Sequence, residues 1–407
     1  MTHPSEPPRR RVAILGAGPV GLEAALATHD AGMDVTVYEL ADQVGGNVRD
    51  WAHVRLFTPW EMNVSPRARR HLERAGTEVP AGEERPTGRE LARRLLDPLA
   101  ALPWIAPGVR TGVRVRSVGR EGLLKDDEIG TGGRAGRPFR LLLADGEGRE
   151  WVEEADVVLD CTGTWHRPNP LGAGGIPAPG ESSAADRILR RIPAPEEMEE
   201  LAGRRVLLVG AGHSAQTAAR FLAESAEAHG TRVTWAIRSG DPDFGAVADD
   251  PLPGRAQLAE EARRLASTED GPLDAWPGTT VEGVSLSEAG VAVALATPGG
   301  PREVVVDRIV SLTGSVGDHG LYRQLQVHEC YATSGPMGLS AALLGAGGGG
   351  DCLVQPEMGA DVLRNPEPDF FILGSKSYGR NSTFLLRVGW DQVDQVFALL
   401  TAEAGVA

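Results

Sequence analysis

The feature that most constrains the fold is a strand–glycine–helix pattern that occurs twice, about 190 residues apart. In the first copy an apolar run at 11–15 leads directly into the sequence GAGPVG at 16–21 and then into a Leu/Ala-rich stretch. The second copy repeats this order with GAGHSA at 210–215. Glycines between a strand and a helix are typical of dinucleotide-binding units. We therefore predict an α/β fold with two Rossmann-like domains, the second inserted in the first.

The first unit has the features of a site for the ADP part of a cofactor. Its glycines permit a tight turn and let a pyrophosphate approach the first turn of the helix, where free N–H groups favour negative charge. Glu39 ends the second predicted strand of this unit, where a carboxylate accepts hydrogen bonds from an adenosine ribose. An ADP-containing cofactor is therefore expected here.

The second unit differs at the position of that acid. Aligning its second strand with that of the first unit puts Ile237 where Glu39 lies, and Arg238 and Ser239 follow at once. Loss of the acid and gain of a guanidinium are typical of a site for a ribose that carries a 2′-phosphate. We predict NADPH rather than NADH. His213, inside the glycine motif, is expected to frame the pyrophosphate rather than act as a base.

Composition argues against several other classes of protein. The 407 residues include 56 Asp and Glu against 41 Lys and Arg, and the formal charge of -15 argues against nucleic acid as a partner. Three cysteines do not fit a secreted disulfide scaffold and favour a cytoplasmic protein. No apolar run is long enough to span a membrane, so no membrane partner is expected. The scattered histidines predict no metal site.

The chain resembles the flavoproteins with two dinucleotide-binding domains, a superfamily that includes thioredoxin-reductase-like enzymes and flavin-containing monooxygenases. The resemblance extends over about 11–400 and includes DVVLDCTG at 156–163, a second such segment at 307–314, and the GxGxSA form of the second glycine motif. It implies FAD in the first domain, NADPH in the second, and hydride transfer from NADPH to FAD.

The same resemblance assigns cofactor-binding residues. For FAD they are Gly16, Gly18, Pro19, Gly21, Glu39, Gly46, Asn47, Val115, Thr162, Gly163 and Gly374. For NADPH they are Gly210, Gly212, His213, Ser214, Ala215, Arg238, Ser239 and Gly314.

The domain boundaries follow from the two units. We expect a disordered tail at 1–10, an FAD-binding domain made of 11–200 and 311–407, and an NADPH-binding domain at 201–310. Glycines at both ends of 271–278 predict a loop there.

Two departures from the resemblance narrow the chemistry. Disulfide reductases of this kind carry a CxxC pair, and no CxxC occurs anywhere in the sequence, so this activity in its usual form is excluded. The FxGxxxH element that usually precedes the second glycine motif in monooxygenases is missing from 180–203. The chain therefore also differs from the well-described monooxygenases.

The C-terminal segment 370–381 supplies the catalytic candidates. It lies where related flavoproteins close the FAD site, and it holds one of the two lysines and one of the four tyrosines of the chain. The residues predicted to contact flavin or substrate are Lys376, Tyr378, Arg380 and Asn381.

Three functions stay open. The leading one is an FAD-dependent NADPH oxidoreductase that acts as a single-component monooxygenase, using O2 on a small sulfur- or nitrogen-containing substrate. An alternative is an NADPH-driven reductase of a disulfide, quinone or metal species through Cys330 and Cys352, if these form a redox couple. The third is a non-catalytic flavin redox sensor. The oligomeric state also stays open, with a homodimer as one alternative.

Overall fold

The computed structural model describes residues 9–247, 250–268, 270–345 and 359–404. These residues divide into two compact units. Unit 1 comprises the described parts of Met1–Ala52, Thr58–His166 and Val316–Ala407, and unit 2 comprises those of His53–Phe57 and Arg167–Ser315. Because the main segment of unit 2 interrupts unit 1, the predicted insertion of the second domain in the first is confirmed.

The boundaries of the units differ from the predicted 200/201 and 310/311. Residues 167–200 belong to unit 2, because a short strand at Ile188–Leu189 pairs in parallel with Arg308–Ser311 inside the sheet of that unit. The segment His53–Phe57 also joins unit 2, since Val54 packs against its core. Most of the predicted tail, residues 1–8, lies outside the described residues.

Unit 1 is built on a five-stranded parallel sheet, with strands and helices numbered along the whole chain. The strands are β1 (Arg11–Leu15), β2 (Asp34–Tyr38), β3 (Val109–Arg110), β7 (Val157–Asp160) and β16 (Phe370–Ile372), in the spatial order β16-β7-β1-β2-β3. An antiparallel sheet of β4 (Arg114–Arg120), β5 (Phe139–Ala144) and β6 (Glu150–Ala155) accompanies it. The two sheets share one apolar core, in which Leu15 and Val158 meet Val118 and Phe139.

Two helices of unit 1 begin at a capping side chain. Ser65 caps α4 (Pro66–Arg74) by accepting a hydrogen bond from the N–H of Ala68, and Thr87 and Glu90 form a capping box at the start of α5 (Gly88–Leu91). The helices are α1 (Pro19–Asp30), α2 (Gly46–Asp50), α3 (Trp60–Asn63), α4 (Pro66–Arg74), α5 (Gly88–Leu91), α6 (Asp97–Ala100), α10 (Met337–Gly345), α11 (Ser375–Tyr378) and α12 (Leu386–Ala404).

Unit 2 repeats the design of unit 1. Its parallel sheet contains β8 (Ile188–Leu189), β9 (Arg205–Val209), β10 (Arg232–Ile237), β11 (Leu273–Pro277) and β15 (Arg308–Ser311), in the spatial order β11-β10-β9-β15-β8. Its antiparallel sheet contains β12 (Thr280–Ser287), β13 (Gly290–Thr297) and β14 (Gly300–Val306). Its helices are α7 (Pro195–Leu201), α8 (His213–His229) and α9 (Pro253–Ser267).

The predicted loop at 271–278 is wrong. Most of it is β11, which pairs in parallel with β10 at the edge of the sheet and buries Leu273. The flanking glycines only end the strand, whose pairing partner lies 40 residues earlier in the chain at Val233. A turn signal at both ends of a short segment does not exclude a strand between them.

None of the described helices is long and apolar enough to cross a membrane. The part of the chain that the structure describes also contains no group of three or more His, Cys, Asp or Glu side chains placed to hold a metal ion.

Candidate functional site

The first glycine turn has the shape that close approach of a phosphate needs. Gly16 has a φ of +96°, and a Cβ there would lie 2.8 Å from the carbonyl oxygen of Cys161. A Cβ on Gly21 would lie 1.9 Å from the carbonyl oxygen of Gly16, so helix α1 packs directly on the turn. A Cβ on Gly18 would meet nothing within 4 Å, and no side chain caps the helix that begins at Pro19. This open helix N-terminus suits a pyrophosphate.

Glu39 lies directly behind this turn. Its buried carboxylate accepts hydrogen bonds from the N–H groups of Ala17, at 2.9 Å, and Ala41, at 3.0 Å. Gly46 lets helix α2 come close, because a Cβ there would lie 3.2 Å from Oε1 of Glu39. Glu39 therefore holds the glycine turn in shape, a role that the sequence analysis missed. Each carboxylate oxygen can accept a further hydrogen bond, so a ribose contact is compatible with it.

Other predicted FAD residues lie at the same edge of the sheet. The N–H of Val113 donates to the carbonyl oxygen of Glu39 at 2.9 Å. Strand β4 begins at the next residue, so Val115 lies near the start of this strand and close in sequence to the contact with Glu39. Nδ2 of Asn47 lies 3.4 Å from the carbonyl oxygen of Thr162, next to Gly163, whose φ is +68°. The carboxyl edge of a parallel sheet is where α/β folds bind their ligands.

Lys376 lies in a buried hydrogen-bond network. Its ammonium donates to Oδ2 of Asp160 at 2.5 Å, to Oγ1 of Thr162 at 3.2 Å and to the carbonyl oxygen of Asp318 at 2.9 Å. These bonds use all three of its donors. The Lys376 and Asp160 side chains are 1% and 0% exposed. Lys376 therefore anchors Thr162, and its contact with flavin or substrate stays a prediction. The rarity of lysine in this chain indicated Lys376, but no local pattern indicated its partner Asp160.

The remaining catalytic candidates each have a local contact in the structure. Tyr378 is buried and packs edge-on against Phe384, at 5.5 Å between ring centroids. Arg380 is exposed, and its Nε donates to Oγ of Ser334 at 3.2 Å. Asn381 accepts a hydrogen bond through Oδ1 from the N–H of Thr383. Their contacts with flavin or substrate stay predictions.

Gly374, a predicted FAD-binding residue, lies beside the first turn of α1. It has a φ of +73°, and a Cβ there would lie 3.3 Å from Val20 in the first turn of α1. Its N–H donates to Oε1 of the buried Gln392 at 2.8 Å, and Nε2 of Gln392 donates to Oγ of Ser377. Gln392 therefore anchors this turn, and nothing in the local sequence pattern indicated it.

The second glycine turn has the same backbone shape. Gly210 has a φ of +123°, and a Cβ there would lie 2.2 Å from the carbonyl oxygen of Leu312. Gly212 is open, with nothing within 4 Å of a Cβ. Nε1 of Trp235 donates to the carbonyl oxygen of Gly210 at 2.7 Å, and Nε2 of Gln216 donates to that of Ala211 at 2.9 Å. These two anchors were also missed from the sequence.

The side chains that follow the turn differ in exposure. His213 is the first residue of α8, and burial lowers its pKa, so the ring is neutral at pH 7. Its Nε2 is buried and has no hydrogen-bond partner among the described residues. Ser214 is exposed and Ala215 is fully buried under the turn. A neutral ring can frame a pyrophosphate, and the framing role of His213 stays a prediction.

Arg238 follows the end of β10 and is exposed. Among the described residues it has no ion-pair partner, so its guanidinium is available to a ligand. Oγ of Ser239 donates to the carbonyl oxygen of Asp241 at 2.9 Å and so stabilises the loop that carries Arg238. Gly314 has a φ of +84°, and Asn169, another anchor missed from the sequence, donates to the carbonyl oxygen of Thr313 just before it at 3.0 Å.

The cysteines have unlike environments. Burial raises the pKa of Cys161 far above the ordinary range of a thiol, so this thiol stays protonated at neutral pH. Backbone N–H groups of Thr333 and Ala332 lower the pKa of the Cys330 thiol. Cys352 lies outside the described residues, so the distance between Cys330 and Cys352 stays untested.

A family model described as an NAD(P)-binding Rossmann-like domain matches residues 14–72. Among curated proteins, the N,N-dimethylglycine/sarcosine dehydrogenase of Chromohalobacter salexigens is 47% identical over 45 residues. This stretch is 11% of the present chain and 6% of that dehydrogenase, so the similarity covers only a small part of the relative.

Solved structures resemble the chain over nearly its whole length. The bacillithiol disulfide reductase of Bacillus cereus has a TM-score of 0.66 at 18% identity, with 97% of this chain and 99% of that chain covered. The ornithine hydroxylase of Pseudomonas aeruginosa has a TM-score of 0.64 at 15% identity, with 96% and 98% covered. A flavin-containing monooxygenase of Stenotrophomonas maltophilia has a TM-score of 0.58 at 20% identity, with 98% and 100% covered.

At these identities the likeness concerns the fold. The prediction of two Rossmann-like domains is confirmed, and with it the resemblance inferred from the motifs. The chain contains an NAD(P)-binding Rossmann-like domain and has the two-domain fold shared by the thioredoxin-reductase-like, bacillithiol-disulfide-reductase and flavin-monooxygenase structures.

Proposed function

We propose that the protein is an FAD- and NADPH-dependent oxidoreductase. The observation that carries this proposal is a glycine turn built twice on the same frame, with buried Glu39 behind the first copy and exposed Arg238 beside the second. A carboxylate at this position suits an unmodified ribose, and a guanidinium suits a 2′-phosphate. Unit 1 would then bind FAD and unit 2 would bind NADPH.

The residues of each unit divide the work of holding a cofactor. In unit 1 the turn at 16–21 would receive the pyrophosphate, Glu39 the ribose, and the strand around Val115 the adenine. In unit 2 the turn at 210–215 would receive the pyrophosphate and Arg238 the 2′-phosphate. When bound, FAD supplies two-electron transfer between NADPH and an acceptor.

The FAD assignment is tested by filling the open face of the first turn. Gly18→Leu should block the approach of the pyrophosphate. Denaturation and extraction of the purified variant should therefore release no FAD. Gly146→Leu is the matched control, because Gly146 is an exposed glycine with nothing within 4 Å of a Cβ. Full FAD content in Gly18→Leu would contradict the assignment.

The NADPH assignment is tested by removing the guanidinium. Arg238→Ala should lower kcat/KM for NADPH by about 10-fold, the low end for a charge-assisted hydrogen bond, and leave NADH nearly unchanged. Arg232→Ala is the control, because Arg232 is an exposed arginine at the other end of β10. Equal losses with both nucleotides would contradict the assignment.

For the reaction we propose monooxygenation of a small sulfur- or nitrogen-containing substrate. One atom of O2 enters the substrate, and the other is reduced to water with the hydride of NADPH and a proton. The lack of a CxxC pair and the protonated thiol of Cys161 support this choice over dithiol chemistry. The fold shared with an ornithine hydroxylase and a flavin-containing monooxygenase is compatible with it.

The reductase alternative keeps one observation in its favour, the lowered pKa of the Cys330 thiol. In that reaction NADPH and a proton would reduce a disulfide to two thiols through Cys330 and Cys352. A single experiment separates the two reactions: turnover with NADPH under 18O2 in ordinary water, followed by mass spectrometry of the product. Monooxygenation predicts one 18O per product molecule in the wild type and in Cys330→Ser and Cys352→Ser. Monooxygenation would be contradicted if the wild type reduced a disulfide without O2 and either cysteine variant lost this activity.

A further inference from the structure

A cleft of about 400 Å3 lies in unit 2, away from the second glycine turn. It is formed by α7, by the C-terminal half of α8, and by His53 from the separate segment that joins this unit. Its lining residues on α8 extend from Phe221 to His229, about 12 to 24 Å along the helix axis from His213. Within the described residues, none of the turn at 210–215 lines it. The cleft is therefore separate from the proposed NADPH site.

The floor of the cleft is apolar. Pro193, Met198 and Phe221 line it, and Phe221 and Met198 are only partly buried. A volume of about 400 Å3 falls in the range of small-molecule sites, and such sites are mostly apolar with a few polar groups that orient the ligand. The floor would accept a ring or short alkyl body of a small molecule.

The charged side chains of the lining are acidic. Glu199 and Glu224, both exposed, belong to the lining, and among the described residues no lysine or arginine lines it. Of the nearby arginines, Arg191 pairs with Glu197 at 2.5 Å, and the guanidinium carbon of Arg220 lies 5.3 Å from the centroid of the Phe221 ring. Two carboxylates beside an apolar floor attract a cation and repel an anion.

His53 adds a neutral side chain to the lining. Burial lowers its pKa, so the ring is neutral at pH 7, and it is hydrogen-bonded to the backbone of Pro193. Its Nε2 is buried and has no partner among the described residues, so this atom is not in reach of a ligand in the cleft. His53 therefore adds no positive charge that would oppose the binding of a cation.

From the apolar floor and the acidic rim together, we infer that this cleft binds a small organic ammonium ion with an aromatic or alkyl body. The carboxylates of Glu199 and Glu224 meet the positive charge, and Phe221 packs against the body. This inference does not depend on the proposed redox function, because it uses none of the cofactor-binding residues.

The test compares 2-phenylethylammonium with 2-phenylethanol, which has the same body without the charge. Binding of each to the full-length protein is measured by calorimetry and by saturation-transfer NMR. The ammonium should bind at least 5-fold more tightly than the alcohol. Double substitution Glu199→Gln and Glu224→Gln should weaken the ammonium about 5- to 10-fold and remove the preference, the range expected for two partly exposed ion pairs.

Matched variants locate the binding site. Glu227→Gln removes an exposed carboxylate of the same helix that does not line the cleft, and it should leave binding unchanged. Ala228→Trp should fill the cleft and abolish binding, and Glu224→Lys should do the same by repulsion at an exposed position. Saturating NADP+ should leave the affinity for the ammonium unchanged.

Several results would overturn the inference. Equal affinity for the ammonium and the alcohol would show that the carboxylates do not contribute to binding. Undiminished binding in Ala228→Trp and Glu224→Lys, or displacement of the probe by NADP+, would place the probe elsewhere. No detectable binding of the ammonium at millimolar concentration would contradict the site itself.

Discussion

In each unit an arginine and an aspartate join two neighbouring strands of the parallel sheet in the same way. In unit 1 the N–H and guanidinium of Arg11 both donate to Asp156, at 2.8 Å each, and the N–H of Asp156 donates back to the carbonyl oxygen of Arg11. In unit 2 Arg205 and Asp307 make the same contacts, at 2.8 and 2.6 Å. These contacts fix the register of β1 against β7 in unit 1 and of β9 against β15 in unit 2.

The units differ at the other end of the same strands. Asp160 pairs with Leu15 in register, and Ser311 pairs with Val209 at the corresponding position. Asp160 carries a buried charge that Lys376 neutralises, whereas Oγ of Ser311 is buried without a hydrogen-bond partner among the described residues. One backbone frame therefore carries an ion pair in unit 1 and an unsatisfied hydroxyl in unit 2. The backbone determines where the polar groups lie, and the side chains determine how strongly each turn is held.

The largest expected effect is the loss of this ion pair. Lys376→Met leaves Asp160 charged and buried, which should cost about 3–5 kcal/mol in the free energy of unfolding of unit 1. Ser311→Ala removes an unsatisfied hydroxyl and should change the stability of unit 2 by less than about 0.5 kcal/mol. Urea denaturation of both variants measures the difference.

A double variant separates the contribution of the Lys376 charge from that of its packing. Lys376→Met with Asp160→Leu replaces both charges by apolar groups and should recover most of the loss, because the cost arises from the unpaired carboxylate. If the double variant is as unstable as Lys376→Met alone, packing of the lysine stem rather than its charge holds the turn. Gly317 would be the site of such packing, since a Cβ there would lie 2.4 Å from Cγ of Lys376.

The next largest effect concerns the third position of each glycine motif. Gly21→Ala places a Cβ 1.9 Å from the carbonyl oxygen of Gly16, so unit 1 should lose about 3 kcal/mol through overpacking. The exchange in the other unit, Ala215→Gly, introduces no clash and should cost about 1 kcal/mol through helix propensity. Thermal unfolding of the two variants checks the order, and equal losses would mean that the turns are packed alike.

A smaller loss than for Gly21→Ala concerns the asparagine that anchors each Thr-Gly turn. Nδ2 of Asn169 lies 3.0 Å from the carbonyl oxygen of Thr313, and Nδ2 of Asn47 lies 3.4 Å from that of Thr162. Asn169→Ala should cost about 1 kcal/mol and Asn47→Ala less than that, because the longer hydrogen bond is weaker. Asn169→Asp removes the donor and places a carboxylate oxygen against a carbonyl oxygen, so in a urea titration it should be at least as unstable as Asn169→Ala. Wild-type stability in Asn169→Asp would show that the anchor contributes nothing.

Local patterns predicted much of the fold. The two glycine motifs, the strands before them and the helices after them are each determined within about 30 residues, where alternation, periodicity and turn chemistry act directly. They led to the two Rossmann-like domains, the insertion of the second in the first, and the placement of Glu39 at the end of its strand. Ser65 and Thr87 also act over a short range, because each caps a helix that begins at the next residue.

Contacts between distant segments were not predictable in this way. Lys376 and Asp160 lie 216 residues apart, Gln392 reaches back to Gly374, and Asn169 reaches Thr313 across the inserted segment. The joining of His53–Phe57 to unit 2 belongs to the same class. The sequence by itself determined the repeated frame, because short-range backbone preferences specify it. Only the tertiary structure decided that Lys376 is buried and paired with Asp160, because burial and pairing depend on which remote side chains fill the space around a residue.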